Sequence, residues 1–157
     1  LMGRLMQKVI LVADKQEGQA RVRSALAGKF DLQFVSKLKE AEDRLIEPET
    51  QSKRGSRFDM LIVGIKFDDS RMFDLLRYVR SQDCLEQIPF LVIVPEQNVT
   101  RMNEGIKQCS KLLGACAFLE LQNLSDEEAN SLLLETVTAS LYKTVELVRI
   151  DTRQHRR

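Results

Sequence analysis

Five short apolar runs recur along this chain, each followed by a segment whose apolar residues repeat every three or four positions. The runs are "VILV" (Val9–Val12), "DLQFVS" (Asp31–Ser36), "DMLIV" (Asp59–Val63), "PFLVIV" (Pro89–Val94) and "ACAFLEL" (Ala115–Leu121). Runs this short and this apolar suit parallel strands covered on both faces. Between them, Val22, Ala25, Leu26 and Phe30, then Leu38, Ala41, Leu45 and Ile46, then Met72, Phe73, Leu76 and Val79 mark one face of successive helices. Val99, Met102, Ile106, Cys109 and Leu113 stripe a fourth. Ser125, opening "SDEE" with Glu128 three residues on, has the form of a capping box for a last helix running to about Val148. Pro48 stops the second helix, the polar "PETQSKRGSR" reads as a loop, and Gly114 suits the end of the fourth helix.

Alternating strands and helices predict an α/β, flavodoxin-like fold: a doubly wound five-stranded parallel sheet in the order 2-1-3-4-5, flanked by five helices. Residues 6–148 form one domain on this reading. Residues 1–5 read as a leader or tag remnant ahead of Met6, and 149–157 as a basic tail. Ligands of such sheets bind beyond the carboxyl ends of the strands, where the winding reverses. That places Ala13–Lys15, Gly64–Asp69, Val94–Glu96 and Glu120–Gln122 around the candidate site.

Composition narrows the function classes. The 24 basic and 23 acidic residues leave a net charge of +1, so no overall field favours nucleic acid or an anionic membrane. No apolar run approaches the roughly 20 residues of a membrane span, and no signal-peptide pattern opens the chain. Cys84, Cys109 and Cys116 are odd in number and lack metal-ligand spacing, which predicts reduced packing residues in a cytoplasmic protein.

The segments "KVILVADKQ", "FDMLIVGIKFDDSRMFDLLRYVRS", "IPFLVIVPE" and "GACAFLEL", in this order and spacing, resemble the receiver domain of two-component response regulators. The resemblance extends from Lys8 to the middle of the last helix. It implies phosphoryl transfer to an aspartate at the end of the third strand. A pair of acids after the first strand would hold Mg²⁺, a hydroxyl after the fourth would bond the phosphate, and a lysine after the fifth would pair with it. In this chain Gly64 stands at the nucleophile position and Ala13 at the first acid, leaving only Asp14. Val94 stands at the hydroxyl position, Leu121 replaces the lysine, and Gln122 follows where the family has proline. Four of five working groups are missing.

The expectation is therefore a degenerate receiver, or pseudo-receiver. It would be a two-component or phosphorelay module that is not phosphorylated, is not an enzyme, needs no cofactor or metal, and acts through a protein partner or its own twin. Met102, Ile106, Leu141, Val145 and Val148 are the candidate interaction surface, the last three on a seam that continues along the final helix. Asp68 and Asp69 admit three readings: a displaced phosphoryl acceptor, a weak cation site with Asp14, or solvated loop acids with Asp69 or Ser70 capping the third helix. A second function class stays open as well, a flavodoxin-like domain binding a small ligand or nucleotide through "ADKQEGQ" and "GIKFDDS".

Overall fold

Side chains of a strand point alternately to its two faces, so a strand that is apolar at every position needs a helical layer on each side. The computed structural model describes residues 7–46, 51–52, 55–95 and 103–155, with side chains outside 51–52, 55–56 and 143–155. Strand β1 (Val9–Ala13) pairs in parallel with both β2 (Asp31–Val35) and β3 (Met60–Gly64). Strand β4 (Phe90–Val94) joins β3, and β5 (Ala117–Glu120) joins β4, giving the sheet order 2-1-3-4-5. The doubly wound, flavodoxin-like architecture expected from the alternating pattern is the one observed, and it agrees with the receiver resemblance.

Helices α1 (Gln16–Leu26) and α5 (Asp126–His155) cover one face. There Ile10, Val12, Met60, Ile62, Leu91 and Ile93 pack with Val22 and Leu26 of α1 and with Ala129, Leu133 and Val137 of α5. Helices α2 (Leu38–Ile46) and α3 (Met72–Ser81) cover the other, where Leu11, Leu61, Val63, Phe90 and Val92 meet Ala41, Leu45, Leu75, Leu76 and Val79. Full burial of each such side chain contributes about 1.5–3 kcal/mol. A single turn, Phe67–Ser70, precedes α3, and the polar loop after α2 includes a two-residue antiparallel ladder, Gln51–Ser52 with Gly55–Ser56.

Helix α5 starts as its sequence implies. The Ser125 hydroxyl accepts a bond from the Glu128 N–H at 3.1 Å, and the Glu128 carboxylate accepts one from the Ser125 N–H at 3.2 Å. Hydrogen bonding to it from the Ser125 side chain and backbone N–H holds the Glu128 carboxyl below its ordinary value. Arg21 fastens α1 to α5 through Asp126 at 2.9 Å, and Asn130 donates to Ser24 at 3.2 Å. The helix continues past Val148 to His155, so its 30 residues span about 45 Å. No described helix is long and apolar enough to cross a membrane.

Helix α4 (Asn103–Leu112) departs from its expected stripe. Its inward residues are Ile106, half-buried, and Ser110, fully buried, whereas Cys109 is exposed and Leu112 is 87% exposed. The exposed Cys109 corrects the reading of that thiol as a packing residue. The physical reason lies with Ser110, whose hydroxyl donates to the Ile106 carbonyl at 2.7 Å and so can be buried without loss. Gly114 closes the helix at φ +106°, as expected of a residue needing the left-handed region. Val99 and Met102 lie outside the described residues.

Candidate functional site

The carboxyl ends of β1, β3 and β4 converge where the winding of the sheet reverses, and the residues delivered there are Ala13, Gly64 and Val94. Asp14 follows β1 and is only 2% exposed. Its N–H donates to the Val35 carbonyl at 3.1 Å, and one carboxylate oxygen accepts from the Lys15 N–H at 2.8 Å. Gln19 ties the same corner, its side-chain amide donating to the carbonyls of Asp14 at 2.9 Å and Val35 at 3.3 Å.

Two glycines define the slot that Asp14 occupies. A Cβ added at Gly64, at the end of β3, would land on the Asp14 carboxylate. A Cβ at Gly18, in α1, would land on the same group. The side chain of Asp14 therefore lies in space that substituents at 18 and 64 would need, and it can do so because neither position has one. Gly64 is a steric requirement of this packing. Gly18 also carries a sequence signal for this packing: glycine inside a helix costs about 1 kcal/mol and calls for a packing reason.

The remaining walls belong to the core. Ala13 and Val94, both fully buried, pack in the cluster under α2 and α3. Leu121, 1% exposed, packs with α1 and α5, its N–H bonded to the Val94 carbonyl at 3.0 Å. The crevice thus presents apolar side chains and one buried carboxylate. Ala13, Gly64, Val94 and Leu121 supply neither a side-chain oxygen nor a cation.

The acidic turn after β3 serves a different purpose. Asp68 accepts a bond from the Leu38 N–H at 2.7 Å and lies 3.6 Å from the Lys37 ammonium, so it caps α2 from 30 residues away. The Leu38 N–H, with Lys37 and Arg71 adding to it, holds the Asp68 carboxyl below its ordinary value of 3.8. Asp68, Asp69 and Ser70 adopt φ of +43°, +56° and +68°, a left-handed run that costs non-glycine residues about 1–2 kcal/mol each. Fully buried Phe67 anchors the turn, and its carbonyl accepts the Arg71 N–H at 2.7 Å. Two expectations are corrected here. Neither Asp69 nor Ser70 caps α3, because Arg71 holds that position and no side chain bonds there. Asp14, Asp68 and Asp69 do not assemble as a cation site: among the described residues no group of three or more His, Cys, Asp or Glu is placed to hold a metal ion.

Of the candidate interaction residues, Ile106 packs half-buried against the α2/α3 cluster and Leu141 half-buried against the α1/α5 cluster. Met102 and the side chains of Val145 and Val148 lie outside the described residues.

No protein-family model matches the chain, and neither does any curated protein. Solved structures do match. The phosphorylated cyanobacterial phytochrome response regulator RcpA is 16% identical with a TM-score of 0.65, over 87% of this chain and 96% of its own. The chemotaxis response regulator CheY4 of Vibrio cholerae is 21% identical with a TM-score of 0.58, over 84% and 98%. The receiver domain of sensor histidine kinase PA1611 from Pseudomonas aeruginosa, solved with magnesium in its active-site cleft, is 14% identical with a TM-score of 0.60, over 86% and 97%. The fold is that of a receiver domain.

Two measurements test this site. Gly64→Ala should lower stability by about 1–3 kcal/mol in denaturant unfolding, because it overfills the slot. In an Asp14→Ala background that cost should shrink by about 1 kcal/mol or more, whereas equal costs in both backgrounds would contradict the shared slot. A carboxyl held low in the folded state stabilises above its unfolded pKa and loses that contribution as pH falls through the folded one. Asp68→Asn should therefore flatten the decline in thermal stability below about pH 4; an unchanged acid limb would remove Asp68 from this role.

Proposed function

We propose that this chain is a receiver-fold signalling module that takes no phosphoryl group and works through protein contacts. The observation that carries the proposal is the Asp14 carboxylate lodged between Gly18 and Gly64, in the space a side chain at position 64 would enter. A phosphorylated aspartate carries about −1.5 to −2 charges, as other phosphoryl groups do, and needs cations or donors around it. Here the neighbouring positions carry Val94 and Leu121, both committed to the core. RcpA is phosphorylated in its structure and the PA1611 receiver holds magnesium in its cleft; this chain keeps the scaffold such chemistry uses and lacks the matching side chains. The same filled slot disfavours a nucleotide or flavin in the crevice. The module is non-enzymatic on this reading and belongs in the cytoplasm, within a two-component or phosphorelay pathway.

A signal in such a module is carried by differential contacts between two states. The surface proposed for them joins Met102 and Ile106 to the seam Leu141, Val145 and Val148 of the last helix. At about 45 Å, that helix is far longer than a five-residue strand, which spans about 17 Å. Its final turns are proposed to pack on a second copy or another protein.

Incubation with radiolabelled acetyl phosphate and Mg²⁺ should leave the protein unlabelled; stoichiometric acid-labile label would overturn the proposal. Light scattering should give the full chain a mass above that of a monomer and return a chain cut after Leu141 to monomer. Equal monomeric masses would rule out self-association through α5.

A further inference from the structure

The pole of the sheet opposite the crevice has a different chemical character. At the amino ends of β4 and β5 lies a cavity of about 520 Å³ whose lining includes Arg80, Gln87, Gly114, Cys116 and Ser140. Arg80, half-buried, donates to the main-chain carbonyls of Leu85 at 3.3 Å, Glu86 at 3.1 Å and Gly114 at 2.7 Å. Gly114 is needed for this approach, since a Cβ there would come within 2.7 Å of the arginine Nε. The guanidinium thus consumes three neutral acceptors, and among the described residues no carboxylate forms an ion pair with it. Glu86, exposed, also lines the cavity and forms no ion pair with the guanidinium. A half-buried charge met only by neutral groups is incompletely compensated, and arginine has no acceptor of its own to offer.

Across the cavity, the Ser140 hydroxyl accepts a bond from the Cys116 thiol at 3.6 Å, while its own proton has no acceptor among the described residues. An unspent donor therefore remains on each wall among the described residues, the Arg80 Nε–H on one and the Ser140 hydroxyl on the other. We propose that this cavity binds a small anion, a carboxylate or a phosphate, held by the Arg80 fork and the Ser140 hydroxyl. Such a fork matches the planar or tetrahedral oxygens of these groups. Ser140 precedes Leu141 on α5, so an occupant would touch the helix assigned above to partner contacts. This site neither uses nor requires the reading of the crevice.

The test is a titration of ¹⁵N-labelled protein with inorganic phosphate and, separately, acetate, at ionic strength held constant with chloride. The expected result is saturable shifts at the amides of Gly114, Cys116 and Ser140 and at the Arg80 Nε–H. Saturation by phosphate alone assigns a phosphate ligand, and by acetate alone a carboxylate. Arg80→Lys keeps the charge but loses the fork and should weaken binding about tenfold. Ser140→Phe fills the cavity from the other wall, leaves the arginine in place and should abolish binding, with unchanged spectral dispersion showing an intact fold. Linear shifts no different from those with chloride, or saturation unaffected by Ser140→Phe, would overturn the proposal.

Discussion

The structure around the crevice depends on one packing constraint: a carboxylate buried where two strands and a helix meet, with a glycine on each side of it. Asp14 is 2% exposed, and substituents at Gly18 and Gly64 would both collide with it. Burying a carboxylate is expensive unless hydrogen bonds compensate, and the Lys15 N–H supplies one such bond. Once that side chain lies inward, position 64 cannot hold a reactive group without displacing it. Val94 and Leu121 join opposite cores, which commits both walls to packing.

The fold was legible because its signals were local and redundant. Each strand announced itself as an apolar run, and the capping box at Ser125 appears in the structure with both of its reciprocal bonds. The positions around the crevice were legible too, since topology alone brings the ends of β1, β3 and β4 together. What those positions lack could be read off as residue types: Gly64, Val94 and Leu121 offer no polar side chain.

The relations between residues were harder to read. Gly64 looked like a simple deletion until Asp14 was seen in the space beside it, a fact of three dimensions with no one-dimensional signature. Asp68 seemed free to face the crevice, but its partner is the first turn of α2, 30 residues earlier in the chain. Helix α4 misled for another reason. Periodicity weighs a cysteine or leucine above a serine, yet Ser110 is the residue buried, because its hydroxyl is satisfied within its own helix. Local strain was equally invisible, as nothing in "DDS" advertises three successive left-handed residues.

Gly18 has a consequence for how such a chain can evolve. Two separate elements have closed over one side chain, so a change that placed a carboxylate at position 64 would meet an occupied volume and be penalised before it conferred any benefit. Such a change requires Asp14 to swing outward or be replaced in the same step. Positions 14, 18 and 64 are thus tied epistatically, so that what is tolerated at any one of them depends on the residues at the other two.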